Sequence, residues 1–236
     1  MAAYHGEDGL SRAPDGRSQR WNSHREQRRA AIVAAGIAAI DEYGFDVGVQ
    51  QIARQAGISR TVLYRYFRDK DDLMLAIGTA LTRSLVELVT GALEAEDTPS
   101  LMVRATVAAI TEWVAAHPRL YIFVRRRANS GDGMLAEIEA SIASSIGGLL
   151  QTILTFVGGE PEMSDIAAHA IVGLVENALS WWIVERPVPQ DLLIQKMYEF
   201  IVDAIQGYLR RAGIDLDFDT ALPLSVLADH TDEEKA

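Results

Sequence analysis

Apolar residues recur along most of the chain at intervals of three and four, which is the spacing of one face of an α-helix. No segment alternates apolar and polar residues as a half-exposed strand would. The pattern therefore predicts an all-α protein of about nine helices. The clearest stripes are Ile32, Val33, Ile37 and Ile40, then Leu73, Ile77, Leu81, Leu85 and Leu88.

Capping residues set the predicted helix boundaries. Ser23, with Glu26 three residues later, forms a capping box, so the first helix is expected to run from there to about Tyr43. Asp69 and Thr98 are expected to cap the fourth and fifth helices. Further helices are predicted over 118–128, 134–157, 161–185 and 190–212.

The segment from Gln50 to Phe67 has the pattern of a helix-turn-helix. Its first half is a short helix, Gly57 supplies a turn, and Ser59 is placed to cap a second helix. In this motif the second helix enters the DNA major groove and the first crosses the backbone, so DNA binding is predicted. The residues spaced to pack the two helices together are Ile52, Ala53, Ile58, Val62 and Leu63.

The residues around this motif resemble the signature of the TetR family of transcriptional regulators. The run from Leu63 to Phe67 is similar to the family's Leu-Tyr-x-x-Phe recognition helix, and Lys70 to Leu73 is similar to the Lys-x-x-Leu that opens its next helix. The stretch from Arg28 to Phe45 resembles the family's first helix and turn. The resemblance implies a DNA-binding head followed by a helical body that binds a small ligand and forms a two-fold dimer.

The start of the second motif helix is the predicted DNA-reading surface. Arg60 and Thr61 lie where base edges are met, and Tyr64 projects on the same side one turn later. Lys70 opens the following helix, where a phosphate would lie. The resemblance implies the same positions and adds others. The candidate set is Gln50, Ser59, Arg60, Thr61, Tyr64, Tyr66 and Lys70.

Several side chains near the motif keep two interpretations. Tyr66 suits the core and the DNA surface equally, and Arg65 is as consistent with a solvated position as with a contact. Arg17 and Arg20 can form a minor-groove arm, although short basic tails often bind nothing specific. Gly48 stands where the family usually has Thr or Ser, so the hydroxyl that can bond a phosphate is missing and only an N–H remains.

Charge is unevenly distributed along the chain, which carries a net charge of −11. Residues 17–70 hold ten Lys and Arg against five Asp and Glu, so this segment carries +5 and the remainder carries −16. A basic head on an acidic body is the electrostatic arrangement that phosphate binding requires. We expect four parts: a disordered arm over 1–22, the DNA-binding domain over 23–70, the ligand-binding and dimerisation domain over 71–213, and a loose acidic tail over 214–236.

Composition narrows the functional classes. The chain has no cysteine, so disulfides and thiolate metal sites are excluded. No apolar leader is present and no apolar run is expected to approach the roughly 20 residues that cross a bilayer, so we expect a cytoplasmic protein without a membrane partner. No nucleophile–base pair, phosphate-binding glycine loop or metal-ligand spacing is apparent. We therefore expect no enzyme activity, catalytic residue, metal or cofactor.

The last two predicted helices are the candidates for a dimer interface. The first of them is apolar over a wide arc, from Ile166 to Trp182, and the second carries a stripe from Leu193 to Tyr208. A four-helix interface between two copies would bury both. The alternative is that these helices pack only within one chain.

The predicted effector is a mostly apolar small molecule with one anionic or hydrogen-bonding group. Aromatic residues of the middle helices can line a pocket or simply form core. Asn177, an amide on an apolar helix, can orient a ligand, pair across a dimer or cap a helix end. Arg125 to Arg127 can reach an anionic ligand or form a solvated face. The candidate ligand residues are Trp113, Phe123, Arg126, Asn177 and Trp181.

The hypothesis from these observations is a ligand-responsive regulator that binds a palindromic operator as a homodimer. Repression is favoured. The effector would release the protein from the operator by shifting the population toward a conformation that misaligns the two heads. Activation is an alternative that the residues do not distinguish. A second alternative is a DNA-binding protein of the same fold that is controlled by a protein partner.

Overall fold

The computed structural model describes residues 16–128 and 134–222, and over these residues it contains nine helices and no strand. The predicted all-α architecture is therefore confirmed. The predicted break at 129–133 lies outside the described residues. The helices are α1 Gly16–Tyr43, α2 Val49–Gln55, α3 Arg60–Leu63, α4 Lys70–Glu94, α5 Pro99–Ala116, α6 Pro118–Ala128, α7 Met134–Val157, α8 Met163–Glu185 and α9 Gln190–Arg211.

The first helix begins earlier than predicted. Because α1 starts at Gly16, Ser23 lies inside the helix and does not cap it, so the predicted capping box is wrong. A capping pair marks a permitted helix start, and no proline between residues 16 and 23 prevents the helix from extending further. Residues 16–22 of the predicted disordered arm are thus helical, which places Arg17 and Arg20 on α1, and residues 1–15 lie outside the described part.

The helix-turn-helix forms as its residues predict. Gly57 adopts φ +65°, a conformation that glycine takes readily and that turns the chain between α2 and α3. Ser59 caps α3, and its hydroxyl accepts a hydrogen bond from the Val62 amide at 3.2 Å. Asp69 likewise caps α4, accepting from the Asp72 amide at 2.8 Å. These caps fix where each helix of the DNA-binding head begins.

The head and the body share one continuous core. The head's centre is formed by fully buried apolar residues of α1 to α4, and the same cluster extends to Leu120, Phe123 and Val124 of α6. Gly36 lets α1 approach α4 closely, because a side chain there would collide with Ile77. The head is therefore packed against the body rather than joined by a loose linker. The fully buried residues at its centre are Ile40, Ile52, Leu63, Phe67, Leu73 and Ile77.

Helices α4 to α9 form the body. In the body α7 packs along α8, and α5 packs between α4 and α9. Three of the segments, Lys70–Glu94, Ile138–Val157 and Met163–Glu185, are by length and composition apolar enough to cross a membrane. The expectation that no run reaches this length is therefore wrong. Each of the three packs against other helices of the bundle, and part of the apolar surface of the third, α8, is exposed.

The segment after α9 is packed, contrary to the prediction of a loose tail from residue 214. Phe218 is buried, and its carbonyl accepts a hydrogen bond from the Ser100 amide at 3.0 Å. Leu222 is buried too, and its amide donates to the Asp97 carbonyl at 2.9 Å. Apolar residues between the aspartates hold this stretch against α5 and α9. Residues 223–236 lie outside the described part.

Candidate nucleic-acid interface and body cavity

The start of α3 is exposed, as a DNA-reading surface must be. Ser59, Arg60 and Thr61 are exposed, as are Gln50 at the start of α2 and Lys70 at the start of α4. Tyr64 is half-buried, and its ring lies 5.5 Å from the Arg60 guanidinium carbon. The cation–π contact holds the arginine over the ring, so its side chain is partly ordered before any DNA arrives.

Two neighbouring residues in the turn after α3, Arg65 and Tyr66, have different surroundings. Tyr66 is half-buried and packs against the head core, and its carbonyl is bound by Arg29. Arg65 is exposed. The packing of Tyr66 favours a core position over the DNA surface, and contact of Tyr66 with DNA stays a prediction.

Gly48 caps α2 through its backbone, and its own N–H is already engaged. The amide donates to Oε1 of Gln51 at 2.8 Å, so in this conformation it does not offer a free donor to a phosphate. Gln51 stands three residues after the cap, the position from which a Gln side chain reaches back in a capping box. That spacing was the sequence signal for this contact, and the sequence analysis missed it.

Replacing Gly48 by serine should strengthen both the fold and DNA binding. The backbone at Gly48 has φ −83°, and an added Cβ would meet only Gln51 Oε1, at 3.5 Å, so serine fits without strain. A serine cap should raise the free energy of unfolding by ~0.3 kcal/mol. Its hydroxyl should tighten DNA binding about three-fold by bonding a phosphate. Gly48→Ala is the matched control, and equal tightening by alanine in an anisotropy titration would contradict the prediction.

Arg29 on α1 binds the segment between α3 and α4, and the sequence analysis did not identify it. Its guanidinium donates to the Tyr66 carbonyl at 2.7 Å and to Asp72 at 3.0 Å, and it stands 4.2 Å from the Phe67 ring centroid. Asp72 also accepts from the Arg68 amide at 2.9 Å. One side chain therefore connects α1, the turn that follows α3 and the start of α4.

The Asp72 carboxylate, which binds Arg29, is held in its ionised form. The hydrogen bond from the Arg68 amide, followed by that from Arg29, lowers the pKa of Asp72. Because the folded pKa lies below the unfolded value of about 3.9, the ionised carboxylate contributes stability above about pH 4. That contribution disappears as the pH falls through the folded pKa.

Arg29→Ala should weaken DNA binding without removing a DNA contact. At pH 7 we expect a loss of about 1–2 kcal/mol in the free energy of unfolding, since the charged bonds are made by a side chain that is 39% exposed. The recognition helix should then lose its fixed orientation, and operator affinity should fall about tenfold. Denaturant unfolding at pH 7 and pH 3 is the measurement. Arg83→Ala, an exposed arginine on α4, is the control, and an Arg29→Ala deficit that persists unchanged at pH 3 would contradict the role of Asp72.

The far end of α1 is bound by the body. His117, between α5 and α6, places Nδ1 2.8 Å from a carboxylate oxygen of Asp41. Arg119 donates to the carbonyls of Asp41 and Glu42 at 3.1 and 2.8 Å, a favourable place for a cation at a helix C-terminus. Arg126 lies 3.7 Å from the Phe45 ring centroid. These contacts connect the body to the helix on which the head is built.

The body contains a cavity of about 190 Å³, lined by residues of α4 to α9 and by Leu216 and Phe218 of the segment after α9. Nearly all lining residues are aliphatic or aromatic. The polar ones are Thr106, Tyr121, Glu139 and Glu176.

Three of these polar residues form one cluster with Arg125. The Tyr121 hydroxyl donates to the Glu176 backbone carbonyl at 3.5 Å, and the Arg125 Nε lies 3.4 Å from Glu176 Oε1. Burial and then the Glu176 charge raise the pKa of Tyr121 to about 12, so its hydroxyl remains a donor. Burial and then Glu176 also raise the pKa of Glu139. The surface that faces the cavity is nevertheless apolar, although two carboxylate-bearing residues contribute to its lining.

Of the five predicted ligand residues, only Trp113 lines this cavity. Phe123 is buried in the core shared by head and body, and Arg126 lies over Phe45. Asn177 is exposed, with its amide donating to the Gly173 carbonyl at 2.8 Å, and Trp181 is 47% exposed. These four side chains therefore do not line this cavity, and their contact with a ligand stays a prediction. Helical spacing identifies apolar positions but does not show which of them turn toward an internal space.

An exposed apolar face runs along α8 and α9. Ile166 is 63% exposed, Val184 79% and Phe200 64%, and Trp181 and Leu192 are also exposed. Asn177 lies on the same face of α8, one turn before Trp181 and two turns before Val184. These exposed side chains lie on the two helices that the sequence predicts as a dimer interface.

Two family models match this chain. Residues 32–77 match the family described as bacterial regulatory proteins, tetR family, and residues 87–214 match the tetracyclin repressor-like C-terminal domain. An uncharacterised HTH-type transcriptional regulator of Mycobacterium tuberculosis is 31% identical over 201 residues, covering 84% of this chain and 86% of that protein.

More distant relatives are also transcriptional regulators. The HTH-type transcriptional activator FasR of Mycolicibacterium smegmatis is 24% identical over 191 residues, covering 79% of this chain and 87% of that protein. The crystal structure of FadR from Bacillus subtilis in complex with stearoyl-CoA has a TM-score of 0.60 at 18% identity, covering 73% of this chain and 97% of that one. These relatives are regulators and not enzymes. The chain belongs to the TetR family of transcriptional regulators.

Proposed function

We propose that this protein is a ligand-responsive repressor that binds a palindromic operator as a homodimer. In this proposal the head, over residues 23–70, binds DNA, and the body, over 71–213, binds the effector and the second copy. One combination of features carries this proposal. The recognition helix is exposed and capped, and the body against which the head packs contains an apolar cavity. We place the protein in the cytoplasm, where its DNA would be.

DNA binding is tested by fluorescence anisotropy on the DNA flanking the protein's own gene, at two salt concentrations. Specific binding should be tight and should weaken steeply with salt, since the exposed Arg and Lys side chains of the head displace counterions from phosphates. If this DNA is not bound, selection from genomic DNA in the presence and absence of cell extract is the second measurement. Failure of both would refute a sequence-reading regulator.

The cavity supports a small, mostly apolar effector. A buried space lined by aliphatic and aromatic side chains binds apolar molecules, whereas a protein partner would need an accessible surface. The fold of the FadR complex with stearoyl-CoA, which this chain shares, is consistent with a long apolar ligand in such a body. Displacement of a neutral apolar fluorophore by 1-decanol tests whether the cavity takes ligands.

A second copy of this chain is the proposed occupant of the exposed face on α8 and α9. The face is formed by two adjacent helices, so two copies related by a two-fold axis would bury it in a four-helix interface. Two recognition helices would then meet half-sites about 34–36 Å apart. Asn177, at this face, would pair across the interface. A mass of twice the 25.9 kDa of one chain in sedimentation is expected.

The route from the cavity to the head passes through His117 in this proposal. Trp113 lines the cavity, its ring centroid lies 5.6 Å from that of His117, and His117 binds Asp41 of α1. A ligand that moves Trp113 would therefore alter how the body holds α1. Ligand and DNA each favour one of two arrangements, so each weakens the binding of the other by the same factor.

His117→Ala should uncouple ligand binding from DNA release. The variant should bind DNA and 1-decanol within about three-fold of the original protein, because His117 lies in neither site. The weakening of DNA binding by saturating 1-decanol should fall from about tenfold to less than about three-fold. Glu112→Gln, an exposed change on the preceding helix, is the control. Full ligand response in the His117→Ala protein would eliminate this route.

A second candidate function is activation, which the similarity to FasR favours. A reporter under the operator, in cells with and without the gene, separates the two: higher expression after deletion identifies a repressor, and lower expression an activator. Control by a protein partner predicts instead that the protein sediments as a monomer and that the exposed face on α8 and α9 binds the partner.

A further inference from the structure

We propose that Phe218 limits the length of the apolar chain that the effector carries, because it closes one end of an elongated cavity. Phe218 belongs to residues 214–222, the strap, which follow α9 and contribute Leu216 and Phe218 to the cavity lining. The match to the family's C-terminal domain ends at residue 214, so nearly all of the strap lies beyond it. The inference deepens the proposed ligand function of the body and rests on it.

The cavity is elongated along two helices of the body. Its lining on α5 begins at Pro99 and ends at Val114, a distance of about 22 Å at about 1.5 Å per residue. Its lining on α7 runs from Ile138 to Leu154, about 24 Å by the same rise. Ile138 belongs to the core that the head shares with the body, whereas Leu154 packs with Phe218. The two helices therefore agree on which end of the cavity is near the head and which is near the strap.

Phe218 stands at the end away from the head. Its backbone carbonyl accepts a hydrogen bond from the Ser100 amide at 3.0 Å, next to Pro99, where the α5 lining begins. Its side chain is buried and lines the cavity together with Leu216. Trp113 lines the cavity near the other end of α5. A chain that lies along the cavity therefore meets Phe218 when it reaches the limit of the space.

Backbone hydrogen bonds hold the strap in place on both sides of Phe218. Before it, the Ile214 amide donates to the Leu209 carbonyl of α9 at 2.9 Å. After it, the Leu222 amide donates to the Asp97 carbonyl, in the connection between α4 and α5, at 2.9 Å. Leu222 is buried as well. An anchored segment acts as a wall, whereas a loose one would move aside for a longer ligand.

The hydrocarbon end of the ligand is expected at the strap. Leu154, Leu209 and Leu216, which pack with Phe218 and line the cavity, are all aliphatic. A hydroxyl or charged group buried among them would have no hydrogen-bond partner, which costs free energy. The terminal methyl of a chain loses nothing in these surroundings. Phe218 therefore measures the apolar part of the ligand and not its polar group.

The test compares the chain-length profile of the full protein with that of its Phe218→Ala variant. Even-numbered 1-alkanols from 1-octanol to 1-eicosanol displace N-phenyl-1-naphthylamine at pH 7, with the same cyclodextrin carrier in every sample. The quantity measured is the ratio of the variant's affinity to that of the unmodified protein at each chain length, in which solubility and carrier effects cancel.

The ratio should not exceed unity for short chains, which do not reach the ring. For the longest chains it should rise to at least about tenfold, because the space left by the ring buries further CH2 groups, each of which tightens binding about four-fold. Phe218→Leu should shift the profile in the same direction by a smaller amount. A ratio that is the same at every chain length would overturn the inference.

Two further variants separate the size of the ring from other effects. Phe156→Ala is the matched control, since it removes the same ring from α7 at a position that is 55% exposed and outside the cavity lining. Its ratio should stay near unity throughout. Leu222→Ala removes a buried anchor of the strap that does not line the cavity. If it reproduces the Phe218→Ala profile, a loosened strap explains the gain and the role of the ring is refuted.

A crosslinking measurement on the unmodified protein covers the case in which Phe218→Ala does not fold. A 1-tetradecanol analogue with a diazirine on its terminal carbon is irradiated in the complex, and the labelled peptides are identified by mass spectrometry. The label should fall on the strap, at Leu216 or Phe218. A label at Trp113 or on α6 would place the hydrocarbon end near the head and contradict the inference.

The outcomes separate this inference from the function on which it rests. If neither the fluorophore nor any alkanol binds, the body has no apolar ligand site and the proposed function fails. If the alkanols bind and the Phe218→Ala ratio does not depend on chain length, the ligand site remains and the limit set by Phe218 is refuted.

Discussion

Replacing Arg60 and Tyr64 together by alanine should lower operator affinity about 100-fold. A bidentate arginine–guanine pair contributes about 1–3 kcal/mol, and loss of the tyrosine hydroxyl removes a phosphate bond of about 1 kcal/mol. Tyr64 also supports Arg60, whose guanidinium carbon lies 5.5 Å from its ring, so the two losses should not be additive. Anisotropy on the operator and on scrambled DNA is the measurement.

The comparison with scrambled DNA shows what kind of contact is lost. Specific binding should collapse, whereas nonspecific binding should weaken only slightly, because most phosphate-binding cations of the head remain. Arg211→Ala removes an exposed arginine at the distal end of α9 and is the matched control for net charge. The half-buried Tyr64 ring packs against the head core, so the double variant should unfold at a lower temperature, and binding is measured well below that transition. Equal losses on both DNAs would mean that α3 does not read sequence.

Substituting Trp181 and Val184 by glutamate should convert the protein to a monomer and lower operator affinity about a thousand-fold. Both side chains lie on the exposed face of α8, at 47% and 79% exposure, so the carboxylates face solvent in one chain and meet each other only in a dimer. A monomer loses the second half-site, and with it most of the difference between specific and nonspecific binding. Sedimentation and anisotropy on the same samples are the measurements.

A third exposed apolar residue distinguishes dimer loss from a general effect of added charge. Leu101→Glu introduces a carboxylate at a position that is 45% exposed on α5, a helix outside the proposed interface. This variant should remain dimeric and bind DNA normally. A monomeric Trp181→Glu and Val184→Glu protein that still binds the operator tightly would show that one head suffices, and a protein that stays dimeric would place the interface elsewhere.

The structure of the head was predictable because the residues that determine it act on neighbouring residues in the sequence. Ser59 and Asp69 cap the helices that they were expected to cap, and Gly57 makes the turn, because each acts on a backbone only a few residues away. The error at Ser23 has the same origin: a capping residue shows where a helix is able to begin, and only the surrounding structure decides whether it does. Only Trp113 of the five expected ligand residues lines the cavity, since the cavity is formed by residues from six helices and no spacing along one helix reveals it.

By itself the sequence determined the all-α class, the helix-turn-helix, the exposed Arg60 and Thr61, and the basic head on an acidic body, because these follow from helix periodicity, capping and charge along consecutive residues. Only the tertiary structure decided that Arg29 binds Tyr66 and Asp72, 37 and 43 residues away, and that His117 holds the end of α1. The same is true of Glu139 and Glu176, which belong to the lining of one cavity although they lie on α7 and α8. Such contacts depend on how helices pack, and packing is set by the whole core rather than by any one segment.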